Sequence, residues 1–182
     1  MDARPIIVDL CCGAGGWAYG FIAAGFRVIG FDIVRHDSYP GQLVIQDVRT
    51  ISGHTMRGKI AGIIASPPCT EFSQVRHFPS KPRPNIALAM ELVEHCWRIA
   101  REAGVKIILE NVRGAQRHIG YARAHAGSFY LWGDVPALLP VERFTKGMYA
   151  TARGAKLGPW RKGGTARSVV PFELALHVAR TW

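Results

Sequence analysis

Short β-branched runs recur along the first 110 residues, and each stops at residues able to bind or react. Pro5 to Leu10 ends in Cys11-Cys12-Gly13, Phe26 to Phe31 is closed by Asp32, and Leu43-Val44-Ile45 stands just before Asp47. Lys59 to Ala65 stops at Ser66-Pro67-Pro68, and Val105 to Leu109 stops at Glu110. Helix-like segments lie between these runs. One extends from about Gly15 to Gly25. Another carries Ile86, Met90, Val93, Trp97 and Ala100 at a period of about 3.6, with Asn85 as N-cap and Gly104 at C′. Strands rich in Val and Ile alternating with helices predict a parallel sheet covered on both faces, a doubly wound α/β fold. Ligands of such sheets sit outside the carboxyl ends of the strands, near the switch in strand order. Function is therefore sought at Asp9 to Gly16, Asp32, Asp47, Ser66 to Cys69 and Glu110.

The 182 residues suit a single domain, residues 1–182, and a 48% hydrophobic content is enough to fill its core. No apolar run is long enough to cross a membrane. Met1 leads straight into a strand-like segment with no basic-then-apolar signal, so the expected place of work is the cytoplasm. Lys and Arg number 23 against 13 acidic residues, and residues 141–182 hold eight basic and two acidic side chains. A basic tail on a nearly balanced body points to a polyanion partner. Within it, Thr145 to Arg167 has six basic residues, no acidic ones and five glycines, and reads as a basic loop. Ser128 to Trp132 reads as a strand, and Pro171 to Arg180 as a closing helix with Pro in its first turn. The four cysteines form no C-x-x-C pair and the histidines show no ligand spacing, so no metal site is expected.

Asp9-Leu10-Cys11-Cys12-Gly13-Ala14-Gly15-Gly16 follows a strand and opens a helix. Glycines there allow a tight turn and let a ligand lie on bare backbone. Asp32, closing the second strand, can take both ribose hydroxyls of an adenosine moiety, and Asp47 can accept from its exocyclic amine. A diphosphate prefers basic groups and helix N-termini. Three carboxylates around one turn instead suit a cationic nucleoside, of which S-adenosylmethionine is an example.

Two prolines after a buried strand stop the sheet and hold Cys69 at its carboxyl edge. A thiol attacks as thiolate. With Glu110 in the same pocket, one chemistry follows: attack on cytosine C6 while a carboxylic acid contacts N3 and the 4-amino group. C5 then accepts a methyl group, and loss of the C5 proton expels the cysteine. This works best with the Glu110 pKa raised by burial.

These residues resemble the DNA cytosine-5 methyltransferase family. The likeness lies in D-L-x-x-G-x-G-G (Asp9 to Gly16), Phe31-Asp32, Gln46-Asp47-Val48, S-P-P-C-x-x-x-S (Ser66 to Ser73) and E-N-V (Glu110 to Val112), in matching order over residues 5–113. The resemblance implies a Rossmann-like S-adenosylmethionine-dependent methyltransferase fold acting on DNA. It implies Cys69 as nucleophile and Glu110 as acid, with Asp9, Cys11, Gly13, Gly15, Asp32, Ile33, Asp47, Val48 and Pro67 around the cofactor. Ser73 would meet the substrate, as would Arg113, Arg117 and Arg123, which are the candidates for the arginines that assist Glu110 in the family. Arg167 to Pro171 is similar to the family's last motif, which folds back beside the glycine turn. The family usually has Phe where Cys11 stands, and its target-recognition domain is missing. Ser128 to Pro136 looks like short methyltransferases of bacteriophage and prophage type. The basic loop is then expected to grip phosphates with little base readout, unless a protein partner supplies target recognition. A duplex would have to extrude its cytosine, with residues 74–84 as the segment to close over it.

Other readings stay open. An exocyclic-amino methyltransferase would have an aromatic residue in place of Cys69. A non-catalytic cofactor- and DNA-binding module would form no covalent adduct with 5-fluorocytosine DNA, and an RNA cytosine methyltransferase would use the same catalytic residues. A zinc deaminase is excluded because P-C-x-x-C would need cysteine at Phe72.

Overall fold

The computed structural model describes residues 2–73, 82–138 and 169–182. Its strands are β1 (Ile6–Leu10), β2 (Arg27–Asp32), β3 (Gln42–Ile45), β4 (Gly62–Ala65), β5 (Ile107–Asn111), β6 (Ala124–Ala126) and β7 (Phe129–Gly133). The helices are α1 (Gly16–Ala23), α2 (Ile86–Ala103), the single turn α3 (Gln116–Ile119) and α4 (Phe172–Arg180). The two loop segments expected from sequence, 145–167 and most of 74–84, lie outside the described residues.

One seven-stranded sheet has the order β3-β2-β1-β4-β5-β7-β6. Strands β3, β2, β1, β4 and β5 are parallel, as expected, but β7 runs antiparallel to both β5 and β6. The expectation of a wholly parallel sheet is corrected at this edge. A parallel neighbour needs a crossover of a dozen or more residues, usually through a helix. Between β6 and β7 there are only Gly127 and Ser128, and Gly127 takes a φ of 59°, so the chain turns back as a hairpin.

The sheet is clothed on both faces. On one face Trp17 and Phe21 of α1 and Leu174, Ala175 and Val178 of α4 are buried with Ile7, Ile64 and Ile108. On the other, Val93, Cys96 and Ile99 of α2 pack on Val8, Ile63 and Leu109. Gly20 sets the α1–α4 approach, since a Cβ there would lie 2.5 Å from the backbone of Ala175. Trp182 closes this face edge-on to Phe21, with ring centroids 5.2 Å apart.

Local signals hold where the chemistry is local. The Asn85 side chain accepts from Leu88 N at 3.1 Å, and Gly104 ends α2 with a φ of 70°. Strand limits move where partners decide them. Lys59 is in a turn, bonded to Met56, so β4 begins only at Gly62. Strand β5 runs past Leu109, because β7 pairs Glu110 with Leu131 and Asn111 with Tyr130. Pro171 caps α4 rather than sitting in its first turn.

Candidate active site

Strand order reverses at β1 and β4, so the loops leaving these strands diverge and open a crevice at their carboxyl ends. The loop after β1 is a chain of left-handed residues: Cys11 at φ 53°, Gly13 at 48° and Gly15 at 85°. Cys11 is the one non-glycine residue with positive φ among the described residues, at a conformational cost of about 1–2 kcal/mol. The Asp32 carboxylate pins this turn. It accepts from Gly13 N through Oδ2 and from Val34 N through Oδ1, both at 2.9 Å. A Cβ on Gly13 would meet nothing within 4 Å, so the turn faces open space. Beside it Ile33 and Val34 are 69% and 53% exposed, an unusual degree for such residues at the end of a strand.

The other expected cofactor residues are placed differently. Asp9 is fully buried beneath the turn, where it accepts from Tyr39 Oη at 3.1 Å, and burial pushes its pKa well above the carboxylate range. Its second oxygen has no hydrogen-bond partner among the described residues. The Asp47 carboxylate caps the turn Val48–Thr50 and grips the Arg49 guanidinium at 2.6 Å, which holds its pKa below the usual value. The Val48 side chain is in the core. Cys11 packs against the core cluster that holds Cys96, and the neighbouring Cys11 thiol and then burial raise the Cys96 pKa. Val169 and Val170 fold back onto the turn. A Cβ on Gly16 would lie 2.7 Å from Val170 N.

The second half of the site is built from the ends of β4 and β5. Ala65 pairs with Leu109, so the next residues along, Ser66 and Glu110, lie side by side. Ser66 N donates to Leu10 O at 3.0 Å, tying this loop to the first. Pro67 is buried, and its carbonyl accepts from Asn111 Nδ2 at 2.9 Å. Asn111 Oδ1 in turn accepts from Val112 N. Cys69, half-buried, opens the turn Thr70–Phe72, whose Phe72 N donates to Cys69 O at 3.1 Å. Phe72 is buried against the backbone at Gly114, with the His118 ring 5.6 Å away. Ser73, half-buried, ends the turn, and Glu71 Oε2 accepts from Asn85 N at the start of α2. The β4 loop and the segment after β5 therefore form one block that carries Cys69 and Glu110.

Glu110 is buried, and desolvation pushes its pKa up to about 7, with a Ser66 hydrogen bond pulling the other way. The rise anticipated from the chemistry is present. Arg113, Arg117 and Arg123 are all exposed, on the turn after β5, on α3 and at the entry to β6. Arg123 N donates to Leu131 O, and Leu131 is the residue paired with Glu110. Residues 111–133 contain no acidic side chain, so the surface beyond Glu110 is basic.

Sequence reasoning gave no role to Asn111, Ser66, Trp17 or Tyr39. A signal existed for Asn111, because an amide directly behind a strand-end acid, once buried, must find partners. Ser66 stood in the S-P-P-C motif without a role of its own, and Trp17 and Tyr39 act across the fold and left none. Among the described residues there is no metal-ligating cluster, and no helix is long and apolar enough to cross a membrane.

The fold and this pair of loops define a Rossmann-like architecture of the S-adenosylmethionine-dependent methyltransferase class. Residues 6–123 match the C-5 cytosine-specific DNA methylase family, and the chain belongs to that family. It is 30% identical over 120 residues to the type II methyltransferase M.AplI of Arthrospira platensis, covering 63% of this chain and 33% of that one. The crystal structure of a prophage-encoded protein of E. coli, assigned as a DNA modification methyltransferase, superposes with a TM-score of 0.50 at 26% identity. That match covers 63% of this chain and 34% of the other. The chain thus spans about a third of the length of these relatives.

Proposed function

We propose that this chain transfers a methyl group from S-adenosylmethionine to C5 of cytosine in DNA, through a transient bond between Cys69 Sγ and cytosine C6. The observation that carries the reading is the single block holding Cys69 and Glu110. Adjacent strands end side by side, Asn111 locks to Pro67, and the acid is buried with a pKa of about 7. Family membership supports the reaction, and the relatives bear methyltransferase names.

The cofactor-side residues fit such a donor. Open backbone at Gly13, Asp32 beside it and exposed Ile33 offer a polar edge for a ribose and an apolar face for a base, whereas Gly15 is covered by Tyr39 and Pro40. Asp47 and the backbone of Val48 would meet the base edge. When bound, the donor supplies an electrophilic methyl group.

Cys69, as thiolate, adds to C6 while protonated Glu110 donates to N3, so the negative charge does not accumulate on the ring. The electron pair released to C5 would form the new carbon–carbon bond as the methyl group leaves the sulfonium sulfur of the bound donor, which keeps the pair of the broken bond. Loss of the C5 proton to solvent then restores the double bond and expels Cys69 as thiolate, while the N3 proton returns to Glu110. Pro67 and Pro68 give Cys69 a rigid mount, so little orientation is lost on attack. Arg113, Arg117 and Arg123 hold the phosphates around an extruded base, where they position the strand without reading sequence.

Incubation with S-adenosylmethionine and DNA containing 5-fluorocytosine tests this directly, because fluorine cannot leave as a proton does. A covalent protein–DNA species mapped to Cys69 by mass spectrometry is expected, and Cys69→Ala should lose it. Methylation that survives Cys69→Ala would overturn the adduct, and methylation confined to RNA would overturn the substrate.

A further inference from the structure

Among the described residues Tyr121 is the most exposed large hydrophobic side chain, at 94%. A ring left in water forgoes the burial that usually holds aromatic side chains. Its backbone is nonetheless fixed on both sides. Gly120 N donates to Gln116 O at 3.1 Å, and Gly120 O accepts from the Nε1 of buried Trp132 at 2.9 Å. Beyond the ring, Ala122 N donates to Gln116 Oε1 at 3.1 Å and Arg123 N to Leu131 O at 2.9 Å. A tyrosine on such a mount has only two side-chain torsions to lose when it meets a ligand.

The neighbours identify the ligand. Exposed Tyr121, Arg123 and His125 alternate with half-buried Ala122, Ala124 and Ala126. The His125 ring is stacked on Tyr130 across the β6–β7 pair, with centroids 4.9 Å apart and 15° between the planes. Arg117 and His118 of α3 are exposed as well, and residues 111–133 carry no acidic side chain. Strand β6 is the last of the sheet, so the stripe lies along an outer edge. Rings interleaved with cations suit a single nucleic-acid strand, because each ring stacks on a base face and each cation holds a phosphate. A duplex keeps its base faces in its own stack and could meet only the cations. Both ends of the stripe adjoin the site. The His118 ring is 5.6 Å from that of Phe72, in the turn that Cys69 opens, and Tyr130 pairs with Asn111, next to Glu110.

We propose that Tyr121 and the stacked His125–Tyr130 pair, with Arg123 between them, bind unpaired bases beside the target cytosine, so that the preferred DNA is single-stranded there. The inference deepens the DNA reading above and rests on it for the target, but the stacking is tested without methylation.

Fluorescence anisotropy with the full chain reads it, using a labelled single-stranded DNA, its duplex, and a strand of equal length abasic at every position but one cytosine. The abasic strand keeps the phosphates and lacks the base faces. The intact strand should bind roughly tenfold tighter than the abasic one, Tyr121→Ala should erase most of that gap, and Tyr121→Phe should keep it. Arg123→Gln should weaken both strands alike and lower the log–log salt slope by about 0.7. Duplex affinity should not respond to Tyr121→Ala. Equal affinity for the intact and abasic strands would overturn the proposal, as would a gap that survives Tyr121→Ala combined with His125→Ala. So would a duplex weakened by Tyr121→Ala as much as the single strand. A Tyr121-dependent gap without any 5-fluorocytosine adduct would sink the proposed reaction and leave the stripe standing, whereas an adduct without the gap would overturn the stripe alone.

Discussion

Replacing Glu110 by Gln should make the protein more stable at alkaline pH and leave it unchanged in acid. The Glu110 pKa is about 7 in the folded chain against 4.5 for an unperturbed glutamate. A group whose folded pKa is raised binds more protons folded than unfolded between those two values. Its contribution is fully present below pH 4.5 and is lost as pH rises through 7. The difference of about 2.5 units corresponds to about 3 kcal/mol at 1.36 kcal/mol per unit. Gln keeps the shape and the capacity to accept from Ser66 but never ionises, so it avoids this loss. Urea unfolding of both proteins at intervals from pH 4 to 9 reads the difference, with the other raised carboxyl, Asp9, common to both chains. The gap between the curves should open from near zero at pH 4 to about 3 kcal/mol at pH 8.5. A gap that stays flat across that range would show that Glu110 is not a buried acid. The chemistry assigned to it would then lack its physical basis.

Asp32→Ala should weaken S-adenosylmethionine binding severely, measured by calorimetry, since it removes both the proposed ribose acceptor and the anchor of Gly13 N. Unchanged affinity would refute the assignment. Asn111→Ala leaves the Pro67 carbonyl buried and unpaired, at a cost of about 1–3 kcal/mol in unfolding free energy, and should also slow adduct formation by loosening Cys69. Neutralising Arg113, Arg117 and Arg123 together should flatten the log–log salt dependence of DNA affinity by about 3, at 0.9 per phosphate contact. An unaltered slope would remove these residues from the DNA surface.

Much of the fold was legible because its signals are local. Asn85 and Gly104 bracket α2 by satisfying helix ends within a few residues, and the β-branched runs name the strands without reference to partners. Cys69 and Glu110 were legible for the same reason, each marked by an unusual neighbour: two prolines before one, three apolar residues before the other. The antiparallel edge was not. It depends on whether β7 pairs with β5 or β6 or with both, and pairing is a property of distant segments. Asp9 shows the same limit, since its sequence position fits a ligand-facing carboxylate equally well. Tyr39, folding back from thirty residues away, closes it off.

From its own pattern the chain determines an alternating α/β order, the residue types at each strand end and the rigid mount of the thiol. Those are consequences of backbone sterics and of hydrogen bonds made within a turn or two. Tertiary packing decides which carboxylates face a ligand, which are buried, and what proton affinity they acquire. Desolvation and partner geometry are set by segments brought together across the sheet. Glu110 takes its pKa from burial on the strand between β4 and β7, with a serine hydroxyl opposing the rise, neither of which its sequence neighbours encode.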